Sequence, residues 1–139
     1  MTRKIVILAA LLCCATSVAG AKGAPLYPTK DCGRYTTQMD MNMCANDNAE
    51  SADAALNALY KQVAASKSAE DKVSLKQSER FWIKYRDKTC NDQIGPREDG
   101  GSIWPMDMAN CQETETAKRI VVLKRMLTCT AGASVCNPH

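Results

Sequence analysis

Apolar residues recur at spacings of three and four from Met41 to Val63: Met41, Ala45, Ala49, Ala52, Leu56, Leu59 and Val63. That rhythm predicts a helix with one apolar face, running to about Ala65. Its start is marked by Thr37-Gln-Met-Asp40, a threonine cap with an acid three residues on. Ser66-Lys67-Ser68 reads as a turn, and Ser68-Ala-Glu-Asp71 repeats the capping signal. A second helix is predicted from about Ala69 to Asn91, with Leu75, Ser78, Trp82 and Tyr85 on one face and Phe81 at its flank. Gln93 to Pro105 holds Gly95, Pro96, Gly100, Gly101 and Pro105 and reads as a loop. A third helix follows from about Met106 to Leu127, with Thr116, Ile120, Leu123 and Leu127 on its face. No stretch alternates as a strand does. The predicted fold class is all-α: a small, disulfide-stapled antiparallel hairpin with a third helix packed against it.

The chain's first residues follow a different pattern. Arg3 and Lys4 precede an apolar run from Ile5 to Val18, and Ala19, Gly20 and Ala21 follow. A basic start, an apolar middle and a small-residue cleavage site describe a secretory signal peptide, here residues 1–21. The run is shorter than the ~20 residues a membrane-spanning helix needs. No later segment is apolar enough to span a membrane. Residues 22–139 form the single expected domain, with 22–35 an extended lead-in rich in glycine and proline.

Charge and cysteine content narrow the possibilities. The chain has 18 Lys+Arg, 15 Asp+Glu and 8 Cys. Loss of Arg3 and Lys4 with the signal leaves 16 basic against 15 acidic residues, a net charge of +1. Read along the line, no dense basic patch is interleaved with aromatics, so there is no case for nucleic acid. Cys13 and Cys14 leave with the signal. Cys32, Cys44, Cys90, Cys111, Cys129 and Cys136 remain, an even number in an exported chain, which predicts three disulfides and a periplasmic or secreted location. If helices one and two are neighbours with their turn near Lys67, Cys44 and Cys90 lie at equal distances from it and at one level. That geometry predicts Cys44–Cys90, leaves Cys32–Cys111 at the same end, and closes the tail with Cys129–Cys136.

Little in the sequence supports catalysis. His139 is the sole histidine and is terminal, so no Ser-His or Cys-His pair is built around an internal base. No phosphate loop, haem-attachment motif or metal-ligand spacing occurs. Carboxylate pairs such as Asp87 with Asp92 are ordinary on solvated helix faces. The expectation is a protein that is not an enzyme and holds neither cofactor nor metal.

Four blocks in order, TTQMDMNMCA (residues 36–45), ADAALNALY (52–60), QSERFWIKYRDKTC (77–90) and GGSIWPMDMANC (100–111), resemble the LprI-like lysozyme-inhibitor family of bacterial envelopes. The family pattern falls on Thr37, Gln38, Met41, Asn42, Cys44, Ala45, Asp53, Leu56, Asn57, Tyr60, Gln77, Trp82, Tyr85, Arg86, Asp87, Cys90, Gly100 to Ile103 and Cys111. The resemblance implies a helical domain over about Asp31 to Leu127 that binds a muramidase non-covalently. A structural or interaction module of the envelope, without inhibition, is the alternative. The chain lacks the lipid-acceptor cysteine of the lipoprotein form, and the tail with Cys129 and Cys136 is an addition.

Within that frame Trp82, Tyr85 and Arg86 read as structural: the two aromatics in the core, and Arg86 at the bundle's end satisfying carbonyls or a carboxylate, Asp53 or Asp40. Candidate partner contacts lie elsewhere. Tyr35 to Tyr60 carries Asp40, Asp47, Glu50 and Asp53 and no Lys or Arg. These acids fall mostly opposite the apolar face, as a merely solvated surface or one that attracts a cationic partner such as lysozyme. Trp104 sits among turn residues, either as an aromatic anchor for a partner or folded back as a lid. The partner is lysozyme or another envelope protein, and the oligomeric state is open.

Overall fold

The computed structural model describes residues 25–129. The expected signal segment and Cys136 lie outside them. After a 3-10 turn, Cys32–Arg34, three long helices follow: α1 (Gln38–Ala65), α2 (Ala69–Ile94) and α4 (Trp104–Cys129). Between the last two lie a single helical turn, α3 (Arg97–Gly100), and a 3-10 turn, Gly101–Ile103. Among the described residues there is no strand, and the class is all-α as expected.

Both capping signals do what their chemistry dictates. Thr37 Oγ1 accepts from Asp40 N at 3.1 Å, and Ser68 Oγ accepts from Asp71 N at 3.1 Å, each satisfying one of the amides left unpaired at a helix start. The loop is shorter than its glycines and prolines suggest. The third helix begins two residues early, at Trp104, because Pro105 occupies the first turn, where a missing N–H costs nothing.

The core joins Leu56, Leu59 and Val63 of α1, Leu75 of α2, and Ile120 and Leu123 of α4. Fully burying each such aliphatic side chain stabilises the fold by ~1.5–3 kcal/mol. The lead-in supplies Leu26 and Tyr27 as partial cover. The closest helix pair is α1 with α4, and α2 lies along α4. Small buried residues explain this: Ala45 and Ala52 of α1 and Ala109 of α4 let the two axes approach. α2 buries only Leu75 and Cys90, so its contact arc is narrow.

That packing overturns the predicted cysteine pairs. The bridges are Cys32–Cys44 and Cys90–Cys111, with Cα atoms 5.6 and 5.7 Å apart. Equal arms do meet in a bridge, but around the α2–α4 connection rather than the α1–α2 turn. Cys90 lies ten residues before Gly100 and Cys111 ten after Gly101, so the staple closes the α2–α4 connection. Cys44 instead holds the lead-in onto α1. Cys129 is also disulfide-bonded. Its predicted partner, Cys136, is outside the described residues.

Candidate partner-binding site

The W-x-x-Y-R-D block of α2 builds a polar strut across the three long helices. Arg86 donates from Nη1 to Asp53 Oδ1 of α1 at 2.9 Å and to Thr116 Oγ1 of α4 at 3.3 Å, and from Nε to Asp87 Oδ1 at 3.0 Å. Thr116 in turn donates to Asp53 at 3.2 Å. The Arg86 guanidinium stands 5.3 Å from the centroid of the Trp82 ring, and that of Arg119 stands 5.8 Å from it. Arg119 is fixed by Glu79 Oε2, at 3.0 Å from Nε and 2.8 Å from Nη2. Trp82 is half-buried against the core. Of the two candidate carboxylates for Arg86, the partner is Asp53; Asp40 belongs to the α1 cap. Tyr85, expected in the core, is 59 % exposed. The narrow contact arc of α2 passes through Leu75, Trp82 and Arg86 and leaves position 85 outside it.

A second cluster gathers at the end of the bundle where α1 begins. Asn42 donates to the Ser102 carbonyl at 2.9 Å and accepts from Gln38 Nε2 at 2.8 Å. The 100–103 segment is thereby tied to the first turns of α1. Trp104 turns back on its own loop: Nε1 donates to the Gly95 carbonyl at 3.0 Å, and Arg97 lies 5.7 Å from the ring centroid. Gly100 is required here, because a Cβ would stand 2.4 Å from Trp104 Cδ1. Gly101, at φ +57, takes a conformation that other residues rarely adopt. Trp104 is half-buried, and it shapes the loop that leaves Ile103 exposed.

The acids of α1 divide between two fates. Asp47 is ion-paired with Lys30 of the lead-in, and Asp53 with Arg86. The pair raises the Lys30 pKa through the Asp47 hydrogen bond and charge. Among the described residues Asp40 and Glu50 accept only from neutral donors, Thr37 Oγ1 and Asn46 Nδ2. Both are exposed. On the same outer stripe stand Met39 and Met43, 72 % and 62 % exposed. Met39, Met43 and Ile103 are not among the partner contacts expected from the sequence. The signal was present: Met39 and Met43 fall two residues out of phase with Met41 and Ala45, so they cannot share the core face.

The lead-in is strapped across α1. Asn48, nearly buried, accepts from Lys30 N at 2.7 Å and donates to Lys30 O at 3.0 Å, and Ser51 donates to Pro28 O at 2.7 Å. Further on, Tyr27 donates to Glu113 of α4 at 3.0 Å. Burial first, and then the Glu113 carboxylate, push the Tyr27 pKa up to about 12. Grooves beside α4 are shallow and open, and among the described residues no His, Cys, Asp or Glu cluster is arranged to hold a metal. No helix among them is long and apolar enough to cross a membrane.

The model of the family described as lysozyme inhibitor LprI matches residues 29–123. The chain belongs to this family. The match takes in α1, α2, the loop, both described bridges and most of α4. An uncharacterized protein of Rhizobium meliloti (strain 1021) is 37 % identical over 133 residues, covering 86 % of this chain and 91 % of its own length. No solved structure matches the chain. Membership in the LprI family implies a lysozyme-inhibitor-like role and a muramidase as partner. The family description names an inhibitor, and the two bridges are consistent with an extracytoplasmic protein.

Proposed function

We propose that the protein acts in the periplasm or outside the cell as a non-covalent inhibitor of a muramidase, meeting it with the outer stripe of α1 and the adjoining loop. The observation that carries this reading is the family match over residues 29–123. The surface suits such a partner. Asp40 and Glu50 are exposed and have no cationic partner among the described residues, and Asp47 beside them is ion-paired with an exposed lysine. Such charges steer a cationic enzyme toward the stripe. Met39, Met43 and Ile103 then provide apolar contact, and the two methionines adapt their shape to a cleft rim. Trp104 acts by holding the loop that carries Ile103.

The test is a muramidase turbidity assay on bacterial cell walls with the oxidised protein, with binding followed by surface plasmon resonance. Inhibition weakens as salt rises, because exposed charges are screened over ~8 Å at physiological ionic strength. Asp40→Asn with Glu50→Gln lowers the association rate. Met39→Lys with Met43→Lys abolishes inhibition without lowering the melting temperature. If neither hen-type nor bacteriophage-type muramidases are inhibited or bound at low salt, the proposal fails. An envelope interaction module is then the remaining reading.

A further inference from the structure

The sequence between Lys72 and Tyr85 looks like ordinary mixed charge. Folded as α2, it separates into rows. Lys72, Lys76, Arg80, Lys84 and Lys88 recur every four residues, and all five are exposed. Beside them runs Val73, Gln77, Phe81 and Tyr85, again every four. Val73, Phe81 and Tyr85 are 68 %, 65 % and 59 % exposed.

The acids of the helix are accounted for elsewhere. Glu79 turns inward to Arg119, Asp87 pairs with Arg86, and Asp92 pairs with Lys88. Glu70 and Asp71 sit in the first turn, at the capped end. Among the described residues no acid is within ion-pairing distance of Lys72, Lys76, Arg80 or Lys84. The outer face of α2 is therefore a cationic strip with large apolar side chains standing in it.

We propose that this face docks the protein on an anionic phospholipid surface, with α2 lying parallel to it. The cations match the negative headgroup layer, and Phe81, Val73 and Tyr85 enter the boundary between headgroups and acyl chains. A soluble polyanion would satisfy the cations but would offer the apolar side chains no apolar phase, and this decides for a lipid surface. The proposal does not depend on muramidase binding, which uses a different helix.

The experiment is co-sedimentation of the purified, oxidised chain with vesicles of phosphatidylglycerol and phosphatidylcholine, and with vesicles of phosphatidylcholine alone. Binding is expected to the anionic vesicles only and to fall as salt rises. Replacing Lys76, Arg80 and Lys84 together by Gln removes three positive charges that have no acidic partner among the described residues. It should lower partitioning by about a hundredfold, from roughly fivefold per residue, with the far-ultraviolet circular dichroism unchanged. Phe81→Ser should lower it several-fold further, and Phe81→Trp should show a blue-shifted emission on the anionic vesicles. Equal binding to both vesicle types, or no loss in the triple variant, overturns the proposal. Binding to heparin as tight as to vesicles, with no effect of Phe81→Ser, also overturns it and assigns the strip to a soluble polyanion.

Discussion

Replacing Arg86 by Met tests whether the polar strut couples the three long helices. The guanidinium is 13 % exposed and bonds Asp53 of α1 and Thr116 of α4. Met keeps the length and apolar stem of the side chain, so the change removes charge and donors rather than packing. A hydrogen bond to a charged group contributes ~1.5–3 kcal/mol when well shielded. Asp53 is 47 % exposed, so its share falls toward the ~0–1 kcal/mol of a surface pair. The Trp82 contact adds ~0.5–2 kcal/mol. Thr116, 1 % exposed, loses a donor but keeps Asp53 as an acceptor. The net expectation is a loss of ~2–3 kcal/mol for Arg86→Met.

Urea titration followed by tryptophan fluorescence measures this directly. A lower midpoint with an unchanged slope reports lost stability without a change in the surface exposed on unfolding. Asp53→Asn alone should cost less, ~0.5–1 kcal/mol, because water already reaches that carboxylate. The double variant should be less destabilised than the sum of the two singles, since the pair shares one interaction. A cost below ~0.5 kcal/mol for Arg86→Met, or strict additivity, would show that the strut is incidental to stability. Arg86→Lys should recover only part of the loss, because an ammonium cannot present a planar fork to two helices at once.

Non-reducing peptide mapping should find Cys32 joined to Cys44 and Cys90 to Cys111, and removing the second pair by Cys90→Ala with Cys111→Ala should cost ~3 kcal/mol for a loop of that length. Gly100→Ala should displace the Trp104 ring, break its bond to Gly95 and cost ~1–3 kcal/mol, read as a changed near-ultraviolet circular dichroism spectrum and a lower melting temperature. Tyr27 should ionise well above the ordinary tyrosine range in a spectrophotometric titration. Its proton is held more tightly in the folded state, so the associated stability is complete below pH 10.0 and disappears as pH rises toward about 12. Tyr27→Phe should remove that alkaline step.

How much of this was legible in the sequence depended on the range of the chemistry. Thr37 and Ser68 are local signals, because a capping hydroxyl reaches an amide three residues away whatever the rest of the chain does. The helix spans and the class followed from such signals and from apolar spacing. The disulfide pairs did not, because they depend on which helices become neighbours. That choice was made by Ala45, Ala52 and Ala109, whose small size favours the α1–α4 approach and whose apolar count resembles that of any other face. Tyr85 was misplaced for the same reason: a second helix packed along one neighbour needs a narrower face than a hairpin partner would. At the loop, Trp104 was read with both fates open, anchor or lid. The structure turns it back on Gly95 and brings Ile103 outward instead.

The charge of the molecule shows how a near-neutral sequence can hold two opposite surfaces. On α1 the exposed acids Asp40 and Glu50 meet only neutral donors among the described residues, while on α2 Glu79 turns inward to Arg119 and Asp87 is neutralised by Arg86. The strut therefore does more than join helices. By pairing the carboxylates of α2 with arginines it leaves Lys72, Lys76, Arg80 and Lys84 without an acidic partner among the described residues. The same Arg86 draws Asp53 out of the acidic stripe, so that stripe is confined to the first half of α1. The two proposed uses then separate by geometry: a negative stripe with exposed methionines for a cationic enzyme, and a positive strip with exposed aromatics for an anionic lipid surface. Because the surfaces lie on different helices, salt weakens both, but Asp40 and Glu50 substitutions should affect only the first and Lys76, Arg80 and Lys84 substitutions only the second. A variant set in which either group altered both activities would mean that the two faces are one site.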